Sequence, residues 1–387
     1  MREREAINEH IDEIFGLVID AHVLETFQNA TSGFIINNNI NYVVDPNTYR
    51  FYLDNIYECS SKRWFERLVD LFGIEDLIIE GNKIYSYELD SSRLDKFVQN
   101  VVKYQERRMI DLSGETRSLI SLFSGEPPPK LKKPYCIIPP YFIIESGEEL
   151  NININSIELA KKYTDIPIYG LIPIYYDLIF DNDILNVITN RYVEANADGY
   201  FIWITDFNEI KEKGIILKFA KDLYISLKEK IGEKELINMF GGHFSTILST
   251  QGFLDGLVHG VGISESRDPY VESGPAPTRY YVQPLHRMLS LESATDILYN
   301  QPYRCRCPIC EGTQISDMGV PDLIKHVMNA KLAEKNEILD LSLEEIMQKL
   351  QNDLDQMITI NRFDLLRRRI RNYGVHINEW IKALKET

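Results

Sequence analysis

The sequence has few cysteines, few tryptophans and a deficit of positive charge. Its 387 residues include 5 Cys and 3 Trp, and 42 Lys and Arg residues stand against 58 Asp and Glu residues, so the formal net charge is −16. A small, odd number of cysteines argues against a disulfide framework and favours a reducing compartment, so we expect a cytoplasmic protein. A protein that holds nucleic acid through its overall field is normally basic, so any nucleic-acid contact must use a local basic surface.

Long apolar stretches are missing too. No run approaches the ~20 apolar residues that a membrane-spanning helix needs, and residues 1–13 are charged and polar, unlike a secretory signal. We therefore expect no membrane partner. A Gly-x-Gly-x-x-Gly motif after a first strand is also absent, which disfavours a dinucleotide-binding sheet.

Three of the cysteines, Cys305, Cys307 and Cys310, are clustered in the run Cys-Arg-Cys-Pro-Ile-Cys. Three thiols this close cannot all pair with one another, but they can all bind one metal ion. The next histidine downstream is His326, on a predicted helix over residues 321–335. The spacing predicts a structural Zn²⁺ held by these three thiolates and His326. The alternative is a reduced, metal-free cluster on a loop, where such thiols would be prone to oxidation.

The pattern of elements divides the chain into four segments. Residues 1–134 carry N-terminal helices and the first strands, 135–300 the main strand–helix portion, 301–339 a zinc-binding subdomain, and 340–387 a helical C-terminal region. The proline-rich stretch 125–134 is a linker or a rigid loop within one fold, because successive prolines fit neither a helix nor a central strand.

Strands and helices alternate after residue 135. The predicted strand over 199–205 is almost continuously apolar, as expected for a strand of a parallel sheet that is buried on both faces. Repeated strand–helix–strand units imply right-handed crossovers, and with the earlier strands the count approaches eight. We therefore predict an α/β fold, a (β/α)8 TIM-type barrel with a zinc-binding insertion and a C-terminal helical region. An open doubly wound sheet is the alternative.

The sequence also predicts one helix near each end of the chain. Residues 1–29 carry apolar residues at helical spacing and predict one long helix with a buried face, followed by Gly33. Residues 362–373 predict a helix whose arginines, Arg367, Arg368 and Arg371, lie away from its apolar face. That arginine face either binds phosphates or balances the acidic remainder of the chain.

Polar residues follow several predicted strands, which is where a barrel places its functional groups. Carboxylates held in a partly dry cavity there can act as nucleophile or base, and paired glycines let a ligand approach the backbone. Each residue also has a structural explanation: a turn, a helix cap, a buried histidine or, for Glu265 and Asp268, a surface ion pair with Arg267. The candidates are Asp45, Asp206, Gly241, Gly242, His243, Glu265 and Asp268.

The order of features over residues 236–339 resembles the tRNA-guanine transglycosylase (queuine/archaeosine tRNA-ribosyltransferase) superfamily. A strand ends in Gly-Gly, a helix follows, then Gly-Val-Gly-Ile, an acidic turn, the Cys-x-Cys-x2-Cys run and a helix with a histidine. Members are zinc-bearing (β/α)8 barrels that exchange guanine for a 7-deazaguanine base, and some relatives act on DNA. The family's Asp-Ser-Gly-Gly-Phe-Gln stretch is absent here.

The resemblance implies residue roles. Glu265 falls where the family has its nucleophilic aspartate, and a glutamate can attack an anomeric carbon. Asp268 is the substitute nucleophile, and Asp45 is the candidate for the family's acidic base. Asp206 and His243, with the paired glycines, are expected to bind substrate.

Three functions follow as expectations. The first is a transglycosylase-like enzyme that exchanges a guanine or 7-deazaguanine base in tRNA or DNA through a carboxylate nucleophile. The second is a non-catalytic barrel paralogue that binds nucleic acid, a second copy of itself or a catalytic partner subunit. The third is a barrel enzyme that acts on a small metabolite and carries a stabilising zinc.

Overall fold

The computed structural model describes residues 2–54, 62–78, 83–124, 132–260, 265–270, 278–299, 303, 305–360 and 363–385. It divides into two compact units, Ile14–Ile204 and Met1–Glu13 with Thr205–Thr387. These are called the first unit and the second unit below. Most of the proline-rich stretch, at 125–131, and most of the Gly-Val-Gly-Ile stretch, at 261–263, lie outside the described residues.

Helices make up most of the described chain, with short strands between them. In order, the elements are α1 (Arg2–Glu9), β1 (Gly16–Asp20), α2 (Ala21–Thr26), α3 (Gln28–Asn38), β2 (Asn41–Asp45), α4 (Arg63–Phe72), α5 (Ser91–Ser124), α6 (Gly147–Ala160), β3 (Tyr169–Ile174), α7 (Asn182–Ala195), β4 (Gly199–Ile204), α8 (Gly214–Ile231), β5 (Glu235–Asn238), α9 (His243–Thr250), β6 (Gly256–Leu257), β7 (Arg279–Val282), β8 (Arg287–Ser290), α10 (Leu291–Leu298), α11 (Pro308–Gly312), α12 (Val320–Ile338), α13 (Leu343–Ile360), α14 (Asp364–Tyr373) and α15 (Val375–Lys385).

The first unit has parallel strands with helices between them. β1 pairs with β2 so that Asp20 lies opposite Asp45, and β3 pairs with β4 in the same parallel sense. Every residue of β3 and β4 is buried, and β4 confirms the strand expected over 199–205 from its continuous apolar character. The carboxyl ends of β1 and β2 therefore meet at one edge, where both strands finish in aspartate.

The extended segment 135–144 belongs to the same unit. Parallel bridges join Ile137 to Ile168 and Ile144 to Ile174, but Pro139 and Pro140 interrupt the ladder. A side chain replaces the missing strand partner, because Gln105 Nε2 donates to the Ile138 carbonyl and Gln105 Oε1 accepts from its N–H, at 2.7 and 2.9 Å.

The second unit combines a short parallel pair, β5 with β6, and an antiparallel hairpin, β7 with β8. Helix α12 packs against α1, α9 and β7. Its contact with the hairpin is an apolar cluster of Val327 and Ala330 with Tyr281 and Met288. This contact fixes α12 relative to the hairpin, and α12 carries several of the residues described below.

The mixed α/β class with parallel strands is confirmed. The described residues show paired parallel strands and one hairpin, and these do not by themselves establish the closed eight-stranded ring expected from the sequence. No helix in the described ranges is long and apolar enough to cross a membrane.

The single N-terminal helix is a wrong prediction. Helix α1 ends at Glu9 and β1 begins at Gly16, and Gly33 lies inside α3. The apolar run Leu17-Val18-Ile19 fits helical spacing, but a short β-branched run after glycine also suits a buried strand, and its pairing with β2 decides the outcome.

Candidate metal centre and carboxylate site

The four predicted metal ligands lie together in the second unit. His326 Nδ1 lies 3.8, 3.4 and 3.3 Å from the sulfur atoms of Cys305, Cys307 and Cys310. All four ligand atoms lie within 4.8 Å of one another. A tetrahedral zinc with its usual bond lengths places sulfur and nitrogen ligands ~3.6 Å apart. The cluster can therefore hold one metal ion such as zinc.

Neighbouring groups orient this cluster. His326 Nε2 lies 2.8 Å from the Tyr281 carbonyl, which holds the proton on Nε2 and leaves Nδ1 facing the thiols. The Tyr280 ring stacks on His326 with centroids 4.1 Å apart, and the Tyr280 hydroxyl lies 3.2 Å from Cys310 Sγ. Two consecutive residues of β7 thus fix the histidine on two sides.

The cluster attracts positive charge. Burial lowers the pKa of His326, but hydrogen bonds with Cys305 and Cys307 outweigh burial and raise that pKa to about 9. Without a metal ion, the imidazole surrounded by the three thiols is therefore protonated at neutral pH. A divalent cation supplies that charge better, because it binds thiolates directly.

A second site in the same unit brings two carboxylates to Gly242. A Cβ atom added at Gly242 would lie 2.7 Å from Glu209 Oε2 and 3.3 Å from Glu265 Cδ. A side chain at position 242 would therefore have to displace the Glu209 carboxylate. Glu209 is 1% exposed and Glu265 is 7% exposed.

Glu209 is held by the first turn of α9 and by α15. Its carboxylate is hydrogen-bonded to Ser245 Oγ, and its backbone carbonyl accepts a 2.7 Å hydrogen bond from Trp380 Nε1. Burial raises the pKa of Glu209 to about 7, and the nearby negative charge of Glu265 acts in the same direction. Glu209 therefore exchanges its proton near neutral pH.

Glu265 is the ionised member of the pair. It forms an ion pair with Lys331 of α12, and His259 Nε2 lies 3.3 Å from its Oε1. Burial would raise the pKa of Glu265, but the Lys331 ammonium and the His259 hydrogen bond lower it to about 2. Two carboxyl groups whose pKa values move apart in this way can serve as proton donor and nucleophile.

The other acidic candidates have local contacts of their own. Asp45, in the first unit, accepts hydrogen bonds from the Asn47 N–H and the Tyr141 hydroxyl at 2.9 and 2.8 Å. Asp268 Oδ1 accepts from the Tyr270 N–H at 2.8 Å. Asp206 is exposed, with φ of +53°, and Lys213 rather than Asp206 precedes α8.

His243 lies at the start of α9 and is buried in a third cluster. Glu334 accepts hydrogen bonds from the Tyr281 hydroxyl at 2.7 Å and from His286 Nδ1 at 2.8 Å, and His243 Nδ1 lies 3.3 Å away. The two imidazole rings are stacked, with centroids 4.1 Å apart and planes 9° apart. One ion cannot lie in both of two parallel ring planes, so the cluster is a hydrogen-bonded carboxylate and not a second metal centre.

Several of these residues are missing from the sequence prediction. Glu209 had a usable signal, because it follows β4 closely, but Asp206 stood nearer to the strand end. Lys331 and Glu334 had none, since an exposed-looking charge on a helix does not reveal a partner tens of residues away. Asp20 was not recognised as a strand-end residue because the sequence predicted a helix where β1 lies.

No protein-family model matches this chain, and no curated protein is similar enough to count as a match. The chemistry of these clusters is therefore the basis for assigning a function.

Proposed function

We propose that this protein is a zinc-bearing transglycosylase that exchanges a guanine or 7-deazaguanine base in nucleic acid. The observation that carries the proposal is the Glu209–Glu265 pair, in which one carboxyl group holds a proton near neutral pH and its neighbour is ionised. Base exchange with a covalent intermediate needs both states side by side.

In the proposed reaction, a Glu265 oxygen attacks the anomeric carbon of the target nucleotide. The bond from that carbon to the base breaks as the new ester bond forms, and the departing base takes the proton of Glu209. The incoming base then attacks the same carbon, releases Glu265 and returns a proton to Glu209. Lys331 stabilises the ionised nucleophile between turnovers.

Zinc is the proposed occupant of the Cys305, Cys307, Cys310 and His326 cluster. Three thiolates and one imidazole are a set that zinc prefers, and a closed four-ligand shell is typical of a structural ion. Its role would be to hold α11, α12 and the hairpin together. The (β/α)8 barrel implied by the family resemblance remains a prediction, which the parallel strands within each unit support.

Incorporation of a radiolabelled guanine or 7-deazaguanine into tRNA and into DNA tests the proposal. We expect label to enter one of them, and we expect Glu265→Gln to abolish incorporation because an amide cannot form the ester. Asp268→Asn is the matched control and should keep incorporation within a few fold. Full activity of Glu265→Gln would overturn the assigned nucleophile.

A non-catalytic nucleic-acid-binding paralogue is the second candidate function. The observation that favours it is the closed environment of Glu265, whose carboxylate is already engaged by Lys331 and His259. In that case neither tRNA nor DNA takes up label, although nucleic acid still binds.

A further inference from the structure

Helix α14 carries positive charge in an acidic chain. It contains Arg367, Arg368, Arg369 and Arg371 against the single acidic residue Asp364, a formal charge of +3 (four minus one) where the whole chain has −16. An approaching polyanion is repelled by the overall field, so it can bind only where positive charge is concentrated.

Two of the four arginines are occupied by acidic neighbours. Arg369 Nη1 lies 2.9 Å from Asp296 of α10, and Arg367 Nη1 lies 3.5 Å from Asp364. Arg368 and Arg371 are exposed, and the structure shows no ion pair to either of them within the part of the chain that it describes. They stand three residues apart, which places them on one face of the helix at about 5–6 Å between Cβ atoms.

The helix that presents them is held in place. Ile370 is buried, the Tyr373 hydroxyl donates to Ser293 Oγ at 3.2 Å, and Arg287 Nη1 donates to the Tyr373 carbonyl at 2.9 Å. The two guanidinium groups therefore extend from a backbone that is fixed at its C-terminal turn. A contact made by them needs little ordering of the backbone.

Exposed apolar side chains adjoin the arginines. Phe363, just before the helix, is 70% exposed, and Leu365, one turn before Arg368, is 66% exposed. Single-stranded nucleic acid is commonly held by cations along its backbone and by aromatic side chains that stack on its bases. Exposed Phe363, on the same segment as the two exposed arginines, matches that combination.

We propose that Arg368, Arg371, Phe363 and Leu365 of α14 form a contact surface for nucleic acid, with the arginines on consecutive backbone phosphates and Phe363 against an unstacked base. This inference deepens the proposed function, because it names the part of the chain that holds the polymeric substrate. Planar guanidinium forks suit phosphate oxygens, and the aromatic neighbour favours nucleic acid over an acidic protein.

Fluorescence anisotropy with the full-length protein, a labelled tRNA transcript and a labelled single-stranded DNA tests the surface. For each nucleic acid that the wild type binds, Arg368→Ala/Arg371→Ala should weaken binding by about tenfold or more at low salt. The slope of log affinity against log salt should become shallower by about 1.4 to 1.8, because two phosphate contacts are lost. Arg369→Ala is the matched control on the same helix, since Asp296 already engages that arginine, and should change binding less than threefold. Arg368→Lys/Arg371→Lys keeps both charges and should retain the wild-type slope.

Unchanged affinity and slope in the double alanine variant would overturn the surface, as would failure of wild-type protein to bind either nucleic acid at low salt. Equal competition by polyglutamate at matched charge would also overturn it in favour of an acidic protein partner. Loss of binding in the double alanine variant without any base exchange by wild type leaves the surface standing and removes the enzymatic proposal. Base exchange that proceeds normally in the double alanine variant would overturn the surface and leave the enzymatic proposal standing.

Discussion

At the scale of single residues, the second unit sets two glutamates to opposite ionisation states. Glu209 lies among apolar groups and Ser245, whereas Glu265 faces an ammonium and an imidazole. Both carboxylates lie close to the position that a Cβ atom at Gly242 would occupy, and the charge of Glu265 adds to the effect of burial on the pKa of Glu209. The predictions at this scale concern that pair.

Glu209 should make stability depend on pH in a defined direction. Its pKa rises from 4.5 in the unfolded chain to about 7 in the folded protein. The protonated form is therefore favoured by folding, so its contribution is complete below pH 4.5 and is lost as the pH rises through 7. Relative to Glu209→Gln, the free energy of unfolding of the wild type should fall by about 3 kcal/mol across that window.

Urea unfolding of both proteins between pH 4.5 and 8 measures this difference. The titrating groups away from Glu209 cancel in the comparison, and Glu265, with a pKa of about 2, stays ionised across this range. A difference that stays flat, or that grows in favour of the wild type at high pH, contradicts the assigned burial of Glu209.

Gly242→Ala should destabilise the second unit by about 1–3 kcal/mol, because the new methyl group would overlap the Glu209 carboxylate in a packed site. Gly147→Ala is the matched control. Its added methyl group meets no atom within 4 Å, so we expect a change within about 0.5 kcal/mol. Thermal denaturation of the two variants measures both, and equal melting temperatures would contradict the close approach of the carboxylates.

At the scale of elements, α12 joins three clusters. His326 belongs to the metal centre, Lys331 pairs with Glu265, and Glu334 binds the stacked histidines. At 100° per residue these three side chains spread over about 140° of the helix circumference, so a single element orders groups from α9, the hairpin and the metal loop.

Glu334→Gln should be strongly destabilising. Burial alone would raise the pKa of Glu334, but contact with His243 and His286 lowers it, so its carboxylate is ionised in the folded state. Glutamine keeps one acceptor oxygen but places an NH2 group where the other was, so one buried imidazole nitrogen loses its acceptor and the buried charge is removed. This should lower the free energy of unfolding by about 3–5 kcal/mol. Glu337→Gln, an exposed carboxylate on the same helix, should change it by less than about 1 kcal/mol. Equilibrium denaturation distinguishes these outcomes, and similar midpoints for both variants would contradict a charged Glu334.

At the scale of the whole molecule, the metal is expected to hold the late helices in place. Elemental analysis should find one zinc per chain, and Cys307→Ser or strong chelation should remove it. Because a structural zinc contributes on the order of 10 kcal/mol to local folding, loss of the ion should unfold the region after Tyr299.

Hydrogen exchange followed by mass spectrometry checks where the structure is lost. Protection in β3 and β4 of the first unit should persist after metal removal. Cys136→Ser, in the first unit, is the control and should keep the metal. Full protection after residue 299 in metal-free protein would contradict the structural role.

The sequence predicts what depends on local spacing. The cysteine run with His326 and the buried β4 strand both appear as expected, because each is set by neighbours along the chain. The glutamate pair needed the tertiary fold, since Lys331 is 66 residues from Glu265 in sequence. The strand status of Leu17 to Ile19 likewise depends on pairing with β2 and not on its own periodicity.

Helix α12 also limits which insertions and deletions the chain can tolerate. One residue inserted between His326 and Lys331 would turn everything downstream by about 100° around the helix axis. Lys331 and Glu334 would then point away from Glu265 and the histidines, while His326 stayed with the thiols. The stretch from 326 to 334 should therefore accept substitutions on its outer side and reject every insertion or deletion, which a length-variant library scored by solubility and metal content would reveal.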